Sequence, residues 1–104
     1  MNQRPIVRSW INYDKIAFML VIDIEASGLT ADKHSIVSLG ALDLHNPTNQ
    51  FYAECRIWDG AEIDPEGLEV NGFTEAEVTD PNKMTEAELI RNFIGWSQDL
   101  KNRT

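Results

Sequence analysis

Phe18-Met19-Leu20-Val21-Ile22 is the most apolar run in the chain, and Asp23-Ile24-Glu25 closes it. Such a run of Phe, Val and Ile without alternation predicts a strand, Phe18–Glu25, buried on both faces. Ser35–Leu44 predicts a second strand, with Ile36, Leu42 and Leu44 on one face and Val37 and Leu39 on the other. Its small Gly40 and Ala41 imply the close approach of a neighbouring element. His45-Asn46-Pro47-Thr48-Asn49 is turn chemistry. Phe51–Trp58 then alternates Phe51, Ala53, Cys55 and Ile57 with Tyr52, Glu54, Arg56 and Trp58, as a third strand does. Strands two and three form an antiparallel hairpin on this pattern.

Asp59–Gly72 reads as loop, with Pro65 and three glycines. Thr74-x-x-Glu77 and Thr85-x-x-Glu88 both match a capping box. The first opens a short helical turn that stops before Pro81. The second opens a helix over about Glu86–Leu100, whose stripe of Leu89, Phe93, Trp96 and Leu100, flanked by Ile90 and Ile94, has helical spacing. That stripe predicts core. One apolar strand, two further strands and one helix hardly cover each other's faces, so the pattern looks like a portion of a larger fold.

With 104 residues, the chain holds at most one domain. Residues 1–17 read as an N-terminal extension: Arg4, Arg8 and Lys15 accompany no apolar core of a secretory signal. The net charge of −8 argues against a broad basic surface for gripping nucleic acid. It does not exclude a nuclease whose metal ions carry the substrate contact. The acids from Glu54 to Glu88 read as a solvated surface. Cys55, the single cysteine, excludes an intrachain disulfide and a cysteine zinc cluster, which suits a reducing cytoplasm. No apolar run reaches the ~20 residues of a membrane span.

The chemistry concentrates at Asp23 and Glu25. Residues i and i+2 of a strand share a face, so the two carboxylates repel each other in one small space. A hard divalent cation such as Mg²⁺ or Mn²⁺ compensates such oxygen ligands. Gly28 lets the backbone turn sharply beside them. An EF-hand loop fits Asp23, Glu25, Ser27 and Gly28 at its opening but meets His34 where its closing Glu belongs. A glycosidase pair is supplied more naturally by separate elements. The carboxylates could also serve only to cap N–H groups of the following turn.

Three ordered blocks extend this pair. Phe18–Leu29, an apolar strand followed by Asp-x-Glu, small residues, Gly and Leu, resembles the first motif of the DEDD superfamily of 3′–5′ exonucleases. Ser35–Leu42 resembles the second strand of that superfamily. Ile63-Asp64-Pro65-Glu66 followed by Asn71-Gly72-Phe73-Thr74 resembles its loop ending in Gly-Ile/Phe-Thr. The resemblance covers residues 18–77 and implies an α/β, RNase H-like mixed sheet, here truncated to a three-stranded antiparallel portion plus a helix. Residues 18–104 would form the N-terminal part of the exonuclease domain.

The resemblance further implies that Asp23 bridges two Mg²⁺ or Mn²⁺ ions and that Glu25 binds the one activating water. Ala26, Ser27, Gly28 and Leu29 would receive the 3′ end of single-stranded DNA or RNA. Backbone N–H groups near Ala26 and Ser27 would meet the 3′-hydroxyl, and Leu29 would pack on the terminal base. Ala26 stands where many members carry Thr. The superfamily also requires a third Asp and a fourth Asp with a His or Tyr base in later motifs. Asp99, His34 and His45 do not fit those places, and both histidines read as solvated loop residues. The expectation is therefore an exonuclease-type domain that is incomplete and inactive in this form. The alternative is a non-catalytic module that self-associates, or binds a second polypeptide, along the strand edge Phe18–Ile24.

Overall fold

The computed structural model describes residues 19–103. The extension over residues 1–17, and Phe18, lie outside the described residues. The chain order is β1 (Leu20–Ala26), β2 (Ile36–Asp43), β3 (Asn46–Glu54), α1 (Pro65–Asn71), α2 (Glu75–Val78) and α3 (Glu86–Arg103). The strands form a three-stranded antiparallel sheet in the order β1-β2-β3. The expected α/β class, hairpin and long helix are all present.

The hairpin turn is tighter than its composition predicts. Only Leu44 and His45 form it, and β3 already begins at Asn46. The Asp43 carboxylate, itself buried, accepts the His45 N–H at 2.9 Å and closes the turn. Pro47 is tolerated because the ladder skips it: Asp43 pairs with Asn46 and Leu42 already with Gln50, so residues 47–49 have no place in the pairing with β2. At its other end β3 stops at Glu54, so the predicted strand to Trp58 is shortened. The chain peels off there: the Arg56 N–H goes to Met84 O at 2.9 Å and the Ile57 N–H to Val78 O at 2.9 Å.

Two apolar clusters hold the sheet. Leu39, Ala41, Cys55 and Leu89 are buried together, with Phe51, Phe93 and Trp96 packed against them. Phe51 meets Phe93 edge-on at 5.7 Å between ring centres. This cluster seats α3, whose Leu89 and Leu100 are buried, as the stripe predicts; the flanking Ile90 and Ile94 remain exposed. The second cluster joins Val37, Leu68 and Val78, and so fixes α1 and α2.

Val37 and Leu39 therefore belong to different clusters, against the expectation that they share a face. The ladder explains this: Glu25 pairs with Ser38 but Ala26 pairs with Ile36, so the register slips at Val37. A bulged residue breaks the two-residue alternation. Ile36 is then restored to the side of Leu39.

A helix replaces the expected loop at Pro65–Asn71. The signals are standard ones: Asp64 caps it by accepting the Glu66 N–H at 3.2 Å, proline occupies its first turn, and Gly72 ends it at φ +83°. The two capping boxes are formed, with Thr74 and Glu77 on α2. On α3 the Glu88 N–H reaches Thr85 Oγ1 at 3.1 Å and the Thr85 N–H reaches Glu88 Oε1 at 2.8 Å.

β1 is not buried on both faces. Among the described residues it pairs with β2 alone and forms a sheet edge. Val21, Ile22 and Ile24 each keep about half their surface in solvent, at 49%, 47% and 50%. The apolar composition of β1 fits a strand with neighbours on both edges. The described residues supply a neighbour on one.

Candidate functional site

The ladder places the predicted carboxylates. Asp23 pairs with Gly40, which pairs with Tyr52; Glu25 pairs with Ser38, which pairs with Glu54. Directly paired residues share a face. Asp23, Glu25, Tyr52 and Glu54 thus lie on the face opposite the Leu39 cluster. Asp23 is exposed and Glu25 half-buried.

Glu54 is compensated. Its carboxylate takes a salt bridge from Lys83 Nζ at 2.8 Å and a hydrogen bond from Tyr52 Oη at 2.7 Å. The Lys83 ammonium, then the Tyr52 hydroxyl, hold Glu54 below the usual carboxylate range. Burial and then the neighbouring Glu54 push the Tyr52 phenol up. Among the described residues, Asp23 and Glu25 have no such cationic partner. They are the uncompensated anions of this face. No third His, Cys, Asp or Glu among the described residues joins them in a group able to hold a metal.

Immediately after Glu25 the chain passes into a turn built around Ser27. This side chain is fully buried, and all of its polar groups are occupied. Ser27 Oγ donates to Glu62 O at 2.7 Å and accepts the Ser35 N–H at 2.9 Å. The Ser27 N–H goes to Ser35 O at 2.8 Å, and Ser27 O accepts from the Asp64 N–H at 2.7 Å. Ser27 is the internal joint of the turn, and its hydroxyl and N–H are both taken up by bonds within the fold.

Gly28 owes its place to close approach rather than to a special backbone angle. Only Gly60 and Gly72 have positive φ among the described residues. A Cβ on Gly28 would lie 2.3 Å from the His34 ring. That ring is held by the Thr30 N–H, 3.1 Å from Nδ1, while the His34 N–H donates to Thr30 O at 2.9 Å. His34 is thus a half-buried turn residue whose ring is tied to Thr30. The tight turn exposes Leu29 almost completely, at 99%.

A cleft of about 470 Å³ opens beside this turn. Glu25, Ala26, Gly28 and Leu29 line one wall, and Asp64, Glu66, Val70 and Asn71 line the other. The Asn71 side-chain amide donates to Ala26 O at 3.2 Å and ties α1 to the end of β1. Val70 faces the solvent with 85% of its surface. Four of the six predicted site residues line one cleft. Asp23 sits one pair back along β1, and Ser27 lies beneath the surface. The wall from α1 was missed because the helix was missed; Asp64, Pro65 and Gly72 were its available signals.

No family model matches the chain, and no curated protein matches it. Among solved structures, the chain is similar to the crystal structure of cell-death related nuclease 4 (CRN-4), with a TM-score of 0.60 and 14% identity. The match covers 81% of this chain and 31% of that one. The likeness is one of fold: this sheet and its helices correspond to under a third of a nuclease chain.

Proposed function

We propose that this chain is the carboxylate-bearing part of a 3′–5′ exonuclease-type domain that hydrolyses phosphodiester bonds of DNA or RNA. One observation carries the reading. Asp23 and Glu25 share one face of β1, uncompensated, where the strand reaches a cleft rimmed by two exposed apolar side chains. The nuclease fold of the structural neighbour supports it, as does the resemblance of residues 18–77 to DEDD exonucleases.

The donor set fits a hard cation: two carboxylates, oxygen ligands only, on one face. Asp23 and Glu25 would hold Mg²⁺ or Mn²⁺. When bound, a pair of such ions supplies charge stabilisation to the attacking and leaving oxygens of a phosphodiester displacement. Two carboxylates alone hold an ion weakly, so the complete site calls for further acidic ligands. Leu29 and Val70 would form apolar walls for the terminal base. The occupied N–H of Ser27 leaves the 3′-hydroxyl to groups nearer Ala26 and Glu25.

A 5′-labelled single-stranded oligonucleotide tests this reading with Mg²⁺ or Mn²⁺. The chain joined to a segment that supplies the further acids shortens the strand stepwise from its 3′ end, and Asp23→Asn abolishes the ladder. Cleavage within the strand, or shortening that survives Asp23→Asn, contradicts it. The chain alone is expected to leave the oligonucleotide intact.

A further inference from the structure

Glu86 turns its carboxylate away from its own helix. The start of α3 is already capped by the reciprocal bonds of Thr85 and Glu88, so Glu86, in the first turn, is not needed there. Glu86 is half-buried, and among the described residues no cation pairs with it. A carboxylate so placed is costly unless donors meet it. The donors come from the entry to β2. The Ile36 N–H reaches Glu86 Oε2 at 2.8 Å, and the Ser35 hydroxyl reaches the same oxygen at 3.3 Å.

Ser35 and Ile36 are the cross-strand partners of the turn that follows Glu25. Ile36 pairs with Ala26, where the register slips. A bulge disrupts the ladder locally, so N–H groups beside it need acceptors from elsewhere. Glu86 supplies one. The Ile36 carbonyl is held as well, by Cys55 Sγ at 3.1 Å. Ser35 in turn exchanges bonds with Ser27: its N–H goes to Ser27 Oγ at 2.9 Å, and its carbonyl accepts the Ser27 N–H at 2.8 Å. Both serines are fully buried. From Ser27 the bonds continue to Glu62 O at 2.7 Å and, through the Ser27 carbonyl, to the Asp64 N–H at 2.7 Å. Asp64 caps α1. A continuous chain of bonds thus runs from the first turn of α3 to both walls of the cleft.

We infer that Glu86 is a positioning residue for the candidate site: its carboxylate pins Ser35 and Ile36, and they set the Ala26–Gly28 turn against the start of α1. Glu86 touches neither cation nor substrate. It acts through the main chain that follows Glu25, and so fixes where the end of β1 lies against the cleft. The inference rests on the cation-site reading of Asp23 and Glu25.

The ¹⁵N-labelled chain is compared with Glu86→Ala, Glu86→Gln and Phe93→Leu by amide exchange and by Mn²⁺ titration. Glu86→Ala should speed exchange at Ser27, Ser35, Ile36 and Asp64 about tenfold or more, as loss of a charge-assisted bond does. Amides of Leu39 and Phe51, in the cluster under α3, should change less. The same variant should weaken Mn²⁺ binding at residues 23–29 roughly three- to tenfold. Glu86→Gln keeps an acceptor oxygen at the same reach and should restore both readouts. Phe93→Leu loosens the seat of α3 and should lower protection in its own cluster while Mn²⁺ affinity stays unchanged. Exchange raised evenly over the whole chain would overturn the inference. So would Mn²⁺ affinity that is indifferent to Glu86→Ala, or that falls as far in Glu86→Gln or in Phe93→Leu. Absence of Mn²⁺ binding at residues 23–29 in the unaltered chain would overturn the cation-site reading itself and take the inference with it.

Discussion

Replacing Gly28 by alanine tests the packing of the turn that carries the candidate site. The new Cβ falls 2.3 Å from the His34 ring, which the Thr30 N–H holds at 3.1 Å. Heavy atoms cannot approach so closely, so the ring or the turn must move. Overpacking of this kind costs ~1–3 kcal/mol. For a domain of this size that lowers Tm on the order of 5–20 °C. The decisive measurement is the same change in a His34→Ala background, followed by thermal unfolding. There the obstacle is gone and φ at position 28 is not positive. Gly28→Ala then becomes neutral or gains ~0.4–1 kcal/mol, because alanine restricts the unfolded chain. The sign of the effect reverses between the two backgrounds. An equal loss of stability in both would refute the packing argument and return Gly28 to a backbone role.

Other outcomes follow from the core and from the charges. Leu89, wholly buried against Leu39 and Cys55, should cost ~2–5 kcal/mol as alanine, measured by urea unfolding. The Cys55 thiol is pushed up to about 11 by burial, so alkylation at pH 8 should proceed only as fast as the protein opens; rapid labelling of the folded chain would contradict this. Glu54 is held low by Lys83, so its contribution is present at neutral pH and is lost as pH falls through its lowered pKa. Both side chains are partly exposed, so Lys83→Met should cost less than ~1 kcal/mol at pH 7, with the difference fading in acid and in high salt.

The two halves of the chain differ in how far their sequence announced the structure. The long helix was legible because Thr85, Glu88 and the Leu89–Leu100 stripe all agree on one period and one starting point. The antiparallel hairpin was equally plain, but its turn was not. Asn46-Pro47 resembles turn chemistry, yet Pro47 sits within β3 where the ladder skips residues 47–49 and its missing N–H is harmless. The fate of Val37 was hidden because a bulge obeys no composition rule; one slipped pair sends it to the second cluster. β1 misled through its own composition. A strand with five apolar residues in seven looks buried, and among the described residues it lies at an edge with Val21, Ile22 and Ile24 half exposed.

At the candidate site, the shared face of Asp23 and Glu25 followed from strand periodicity alone. The cleft did not, because its second wall depends on α1. The segment Asp64–Gly72 held a cap, a first-turn proline and a terminal glycine, but its seven helical residues give too short a stripe to reveal a period. The part of Ser27 was hidden for another reason. Its hydroxyl bonds to Glu62 and Ser35, partners 35 and 8 residues away, and no local pattern reports such contacts.

The proposed function requires Asp23 and Glu25 to form a shared cation site at the end of β1. Paramagnetic broadening of amide signals on titration with Mn²⁺ tests this most directly. The prediction is weak binding, with broadening centred on residues 23–29 and lost in the Asp23→Asn, Glu25→Gln double variant. Broadening centred on the acids of α1 and α2, or undiminished in the double variant, would contradict it.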